Sequence, residues 1–595
     1  MKLLEHYQIM ILNLKQKNID IPITTSKLSS LLSCSMRNTK IIIRKMQDAG
    51  WISWVPGKGR GNYSTINLLL DIDSLAIEEA KKIATTKTID ESIQFVKGYC
   101  ISPNLQRDFI DWLFYKLEKD ESSPQVDRLR FPSYRPLPVL DPMLVNRRTE
   151  NHIMRHLFNQ LVYFNELTKQ HEPQLAHTFN HNENFTVWKF YLRKGVKFHH
   201  GKEMTAEDVC YSFQRHKEKS SAYHWIMENI DNVVAINTYT VKFICRRPIV
   251  YFLHLIASLG GSIIPKNENF SYTPVGTGPF LLLENTEDKL TLGVHKGFFE
   301  TRPQMDEITM YFFPQLYDNK QSIDKKSAEH MNFYHYPYYQ RKSNNFNQVT
   351  STDRGSKLLT LNVNSGILAN DRFLREAILH FLPPEKLISQ LSGNRFLSAS
   401  RLLSDFETRD SCYRDVTIGR INLNKSLYSG EPLHLYSYTG AGNELDGKWL
   451  QEQLNKEGIH VHLHFLSYEE LHSHSLSFSA DMLLGEALVD ESVLYTYLSS
   501  FLGEHSLLTH HLPNHHKNNI NELTKTFYTE KGILTFLKEI EMDLCKQFSH
   551  IHLYRLEQFA IYPSYLQNIH INALGWVDYT KLWYNYENRN KGINP

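Results

Sequence analysis

Four residues carry the first chemistry that the sequence offers. Arg37, Lys40 and Arg44, with Ile41, share one stripe of the segment Met36–Ala49, with Asn38 beside them, opposite the apolar stripe Thr39, Ile42, Ile43 and Met46. A helix that enters a DNA major groove needs such a polar, cationic outer face. There arginine can pair with the guanine edge and asparagine with the adenine edge, while lysine neutralises phosphate. Lys58 and Arg60 follow in the loop Pro56–Asn62, whose Gly57, Gly59 and Gly61 let the backbone approach a phosphate or the minor groove. Further along, His460, His462 and His464 alternate, so their side chains share one strand face opposite Ile459, Val461, Leu463 and Phe465. A solvated outer face accounts for them better than a metal, and no metal site is expected. No GxSxG, Walker loop or HExxH is visible, so neither an enzyme nor a cofactor is expected.

The elements around the cationic stripe suit it. Lys2–Lys15 has amphipathic helical spacing in Leu3, Tyr7, Met10, Ile11 and Leu14, and Ile19–Ile23 is short and extended. Ser26–Leu32 is a short helix. Ser33-Cys34-Ser35 turns the chain, Ser35 can cap the helix at Met36–Ala49, and Gly50 can close it in a left-handed conformation. Trp51–Val55 and Tyr63–Leu68 read as the two strands of a basic hairpin. This is the layout of a winged helix-turn-helix, and it makes double-stranded DNA the expected partner.

Composition agrees. The 595 residues allow two to four cores. Net charge is +2, but residues 1–70 hold seven Lys and three Arg against Glu5, Asp20 and Asp48, which is +7 and leaves −5 for the rest. A basic module on a mildly acidic body predicts an anionic partner for the first part alone. Glu5, His6 and Gln8 interrupt any apolar core at the start, which argues against a signal peptide, and no run is long enough to span a membrane. The cysteines (34, 100, 210, 245, 412 and 545) are scattered without a CxxC, as expected for reduced thiols. A cytoplasmic location is therefore expected, with no membrane partner.

Helical patterns at Asp71–Lys87, Asp90–Lys97 and Asn104–Lys119 lead to a polar linker, Asp120–Asp127. The body then carries Phe185–Leu192 as a strand, a turn at Lys194-Gly195, a short strand at Val196–Phe198, and a helix capped by Thr205 with Asp208 as its partner acid. Val209, Ser212 and Phe213 give that helix its inward face. Later, strand and helix patterns alternate over Leu358–Asn364, Arg372–Ile378, Leu433–Ser437, Trp449–Gly458 and Ile459–Phe465, which argues an α/β lobe.

The string Leu192-Arg193-Lys194-Gly195-Val196-Lys197-Phe198-His199-His200-Gly201, followed by Thr205–Val209, closely resembles the signature of the family 5 extracellular solute-binding proteins, the oligopeptide- and dipeptide-type receptors of ABC transporters. Pro274-Val275-Gly276-Thr277-Gly278-Pro279-Phe280 and the terminal Gly575-Trp576-Val577-Asp578 extend the likeness. Its glycine turn at Gly276 and Gly278 suits a cleft wall and a plain structural turn equally. Such a body behind a winged helix, with Leu31–Ser35, Met46–Trp51 and Gly59–Gly61 as they stand, resembles the SgrR-type regulators, cytoplasmic bacterial transcription factors associated with sugar-phosphate stress.

The resemblance implies a multidomain α+β and α/β chain, a winged helix-turn-helix followed by a two-lobed, type II periplasmic-binding-protein-like, oligopeptide-receptor-like body. The expected units are 1–118, a linker at 119–127, and 128–595, with lobe I at about 128–350 plus a return at about 555–595 and lobe II at about 357–550. Chain crossings between the lobes fall near Leu358 and Ile551. A small solute, a sugar phosphate or related metabolite, is the implied ligand. Tyr436, Ser437 and Asp490 are the candidate contacts, although the Trp and Tyr that usually accompany the acidic residue of peptide receptors are missing around Asp490. The alternative is an exported solute- or peptide-binding component of an ABC transporter.

Overall fold

The computed structural model describes residues 2–57, 63–99, 102–119, 126–138, 140–218, 220–266, 273–313, 334–335, 347–404, 413–473, 480–523 and 529–587. Lys58 and Arg60, most of the linker, and Cys100 and Cys412 lie outside these residues.

The N-terminal module is built as its periodicity requires. Helices α1 (Lys2–Leu14), α2 (Thr25–Leu31) and α3 (Met36–Asp48) surround a three-stranded sheet of β1 (Ile21–Ile23), β3 (Ser64–Leu68) and β2 (Ile52–Val55), in that order. The Ser35 side chain accepts from the Asn38 N–H, and Gly50 follows α3 at φ 72°, a conformation that a side chain would strain. Tyr7, fully buried, donates its hydroxyl hydrogen to the Leu70 carbonyl at 2.7 Å and so ties α1 to the end of β3. Beyond the sheet, α4 (Ile72–Thr86), α5 (Ile89–Tyr99) and α6 (Pro103–Lys119) form a small helical layer.

That layer is seated on the body. One apolar cluster contains Ala76, Ala80 and Ile83 of α4, Ile93 and Val96 of α5, and Phe109, Leu113 and Leu117 of α6, together with the body residues Tyr134, Tyr311, Phe313, Phe559 and Ile561. Charged groups add register. Lys97 lies 2.7 Å from Asp288, which also accepts from Gln94 at 2.9 Å, and Lys289 lies 2.8 Å from Asp90.

The body has two lobes. Lobe I holds two four-stranded sheets. One pairs Ala176–His181, Val187–Leu192, Thr240–Cys245 and Ile230–Asn237. The other pairs Phe280–Asn285, Lys289–Val294, Glu307–Phe312 and β4 (Arg128–Ser133). The expected strand at Val196–Phe198 is reduced to a single bridge, Lys197 to Glu203, because Gly195 and Gly201 turn the chain too tightly for a ladder. The helix after it, Ala206–Arg215, starts where Asp208 accepts from the Thr205 N–H at 2.7 Å, and it buries Val209, Ser212 and Phe213.

Lobe II is a mixed sheet in which Leu433–Tyr438 pairs in parallel with Val461–Leu466 and Met482–Glu486. The strand His550–Tyr562 joins the lobes. Its first half pairs antiparallel with Lys357–Leu361, and its second half with Asn347–Thr352. The two crossings therefore lie side by side as one two-stranded hinge. The terminal Leu574, Trp576, Val577 and Tyr579 return to the lobe I core.

Candidate nucleic-acid interface and interlobe cleft

Helix α3 sorts its residues cleanly. Thr39, Ile42, Ile43 and Met46 are buried, and Arg37, Asn38, Lys40, Ile41 and Arg44 are exposed. Arg44 is 3.9 Å from Asp48, one turn on, but both side chains are more than two-thirds exposed, so the pair contributes little. The guanidinium stays available to an outside partner. The loop with Lys58 and Arg60 joins β2 to β3, so its two ends are fixed by the pairing of Val55 with Thr65. Cys34 packs at the edge of this core, with its sulfur 3.2 Å from the Thr39 hydroxyl.

The second site lies between the lobes. Helix α7 (Arg148–Leu157) opens with an arginine pair, Arg147-Arg148, that sequence reasoning passed over. Arg148 lies 2.6 Å from Asp353, just before lobe II, and reaches across to Glu486 of lobe II at 3.4 Å. Arg147 lies under two lobe II rings, 5.1 Å from the Tyr438 centroid and 4.8 Å from that of Tyr468. Its nearest carboxylate, Glu150, is 3.7 Å away and already holds Arg135 in a two-pronged pair at 2.7 and 2.8 Å. Burial pushes the Glu150 carboxyl up, but Arg135 and Arg147 outweigh it and hold the group below the usual carboxylate range.

Arg135, Arg147, Arg148, Tyr438, Tyr468 and Glu486 line a cavity of about 90 Å³, together with Trp576, His472 and His505. That is well below the roughly 300–1,000 Å³ of drug-sized pockets. The two imidazoles stack, with centroids 4.5 Å apart. Burial pushes His472 down to about 2, helped by His505 and His510, and His505 down to about 4, so both are neutral at pH 7.

The three candidate ligand contacts sit elsewhere. Tyr436 stacks on His464 with centroids 4.3 Å apart. Ser437 is fully buried and donates to the Leu484 carbonyl at 2.8 Å. Asp490 lies 2.6 Å from Arg155 of α7. None of them lines the cavity; their neighbours Tyr438 and Glu486 do. Of the alternating histidines, His464 meets His434 of the adjoining strand at 2.9 Å on the face away from the lobe II core.

The glycine turn is structural. A Cβ on Gly276 would meet the Leu157 carbonyl oxygen at 2.0 Å, and one on Gly278 the His156 oxygen at 2.4 Å. The same turn receives the His199 N–H on the Gly276 carbonyl at 2.9 Å. The two signature strings thus pack against each other and against the end of α7, and hold that helix in place for Arg147 and Arg148.

The fold defines a class: a two-lobed body of the solute-binding-protein kind carrying a winged helix through a docked helical layer. Residues 170–506 match the family described as bacterial extracellular solute-binding proteins, family 5 middle, and residues 2–107 match that described as sugar transport-related sRNA regulator N-term. The chain belongs to the family 5 solute-binding proteins and has the architecture of SgrR-type regulators, a combination that is not enzymatic. It is 30% identical over 297 residues to the HTH-type transcriptional regulator SgrR of Photorhabdus laumondii, covering 49% of this chain and 51% of that one. It is 24% identical to the uncharacterized protein YhjP of Bacillus subtilis (strain 168), over 98% of this chain and 100% of the other. Its body shares the fold of the oligopeptide-binding protein AppA of Bacillus subtilis, solved with a nonapeptide, at a TM-score of 0.64 and 19% identity over 78% of this chain and 99% of that one. The chain spans about half the length of the SgrR relative that it matches. No described helix is long and apolar enough to cross a membrane.

Proposed function

We propose that this chain is a cytoplasmic, ligand-responsive transcriptional regulator that binds double-stranded DNA through α3 and the hairpin after it, and a small solute between its lobes. The observation that carries this reading is the exposed stripe Arg37, Asn38, Lys40 and Arg44 on a helix whose other face is the module's core. Lys58 and Arg60 are the proposed phosphate contacts of the hairpin. The half-length match to a protein named as a transcriptional regulator supports it.

The proposed solute is compact and anionic, with a sugar phosphate or related metabolite as the working class. Arg147 supports this, since its nearest carboxylate is already engaged by Arg135. A ligand acts on DNA only through its preference for one lobe arrangement over another, about 1.4 kcal/mol per tenfold in affinity. The hinge strand packs on the helical layer through Phe559 and Ile561, which offers a direct route from lobe movement to the winged helix.

The test is a thermal-shift screen of the full chain against sugar phosphates, free sugars and peptides, paired with a mobility-shift assay. A ligand at a hundredfold excess over its Kd adds about 2.7 kcal/mol. A sugar phosphate that raises Tm and changes DNA affinity supports the reading. Stabilisation by peptides alone, with no DNA binding, favours the second reading, an exported solute-binding component of a transporter, which the likeness of the body to AppA recommends. Cell fractionation then separates the two.

A further inference from the structure

His515 and His516 begin the helix Asn514–Asn521, and Asp543 projects from the helix Glu530–Lys546. The sequence separates His516 from Asp543 by 27 residues and gives no sign that they meet. In the fold, one ligand atom from each of the three lies within 4.8 Å of the other two, and among the described residues this is the one group of three His, Cys, Asp or Glu gathered so closely. The His434 and His464 pair, close as it is, has no third partner at that range among the described residues.

We infer that His515, His516 and Asp543 form a binding site for a divalent transition metal of the zinc or nickel type. His516 Nε2 lies 2.8 Å from an Asp543 carboxylate oxygen. Two ligands about 2.1 Å from one ion are about 3.0 Å apart at right angles and about 3.4 Å apart at the tetrahedral angle, so the pair stands close to the spacing of neighbouring octahedral positions and would open by about 0.6 Å around a tetrahedral ion. Gln547 donates to the same Asp543 oxygen at 2.6 Å and fixes the carboxylate, as outer partners do at built metal sites. His515 completes a two-histidine, one-carboxylate set, with its ring centroid 4.0 Å from that of His516. His515 is exposed, so the remaining positions open to water.

The side chain of His516 is buried, so its pair with Asp543 is held within the fold. The helix with Asp543 runs directly into the hinge strand at His550. Metal here would pin the base of that strand to the helix Asn514–Asn521.

The experiment is equilibrium dialysis of the full chain, stripped with EDTA, against zinc and then nickel, with bound metal measured per chain. The wild type is expected to retain one tight equivalent. His515→Ala, at an exposed position that leaves the fold intact, and Asp543→Asn should each weaken that equivalent at least about tenfold. His434→Ala should leave it unchanged. Wild-type affinity in both His515→Ala and Asp543→Asn, or loss of the tight equivalent in His434→Ala instead, overturns the site.

Discussion

Lys97 and Asp288 meet at 2.7 Å across the boundary between the N-terminal module and the body. Gln94 takes the second carboxylate oxygen, so one hairpin residue holds α5 at two points. Asp288→Ala removes both. The pair is partly exposed, so the loss should be about 1 kcal/mol, felt locally. Hydrogen exchange in Ile89–Tyr99 should rise while the melting temperature barely moves. Unchanged exchange would mean that the apolar cluster alone seats the module.

Arg37→Ala or Arg44→Ala should weaken specific DNA binding by about 1–3 kcal/mol if the residue reads a base, with the effect confined to some sequences. Removing the exposed pair with Asp48 in Arg44→Ala adds little. A mobility shift that matches wild type removes that residue from the interface.

Lys58→Ala should act on the salt dependence instead. A hairpin that neutralises one phosphate fewer releases one counterion fewer, so the slope of log K against log salt should fall by about 1, nearly independent of sequence. An unaltered slope would detach the hairpin from the phosphate backbone.

Glu150 is fully buried against Arg135. Glu150→Gln leaves a buried guanidinium without its counter-charge and should cost about 3–5 kcal/mol. Adding Arg135→Leu should recover most of that loss, because the cost comes from the stranded charge. Urea unfolding of the single and double variants decides. A double variant as unstable as the single would place the cost in packing around residue 150.

Acid should destabilise the body well before the carboxylates titrate. Burial pushes His216 down to about 4, with Arg215 adding to it, and His511 and His550 down to about 3. These groups stay neutral in the fold while the unfolded chain protonates below about 6.5. Their stabilisation is therefore complete above that pH and is lost as pH falls toward the folded values. The slope is about 1.4 kcal/mol per pH unit for each histidine. Melting temperatures should hold from pH 7.5 to about 6.5 and fall from there to pH 5.0. A flat profile would mean that these imidazoles accept protons within the fold.

The winged helix was legible because its signals are local. The alternation of Ile42, Ile43 and Met46 with Arg37, Lys40 and Arg44, and the Ser35 and Gly50 ends, are written within fifteen residues of one another and need no distant partner. The cleft was not legible, because Arg147 meets Tyr438 and Tyr468 across roughly three hundred residues of chain. Tyr436 lies on the same strand face as Tyr438 but one repeat short of the cavity, and Asp490 lies four residues past Glu486. Strand periodicity gives the face; only the packing of the lobes says how far along it the cavity falls. The Arg147-Arg148 doublet at the start of a helix was the signal to follow.

Tyr134, Tyr311, Phe313, Phe559 and Ile561 share their apolar cluster with α4, α5 and α6. Cutting the chain at the linker would strip the cover from all five and leave a greasy scar beside the hinge. A severed body would be prone to self-association there, and its hinge would swing against a different load. Two units that look separable on paper thus share one apolar core, and their response is best measured on the unbroken chain.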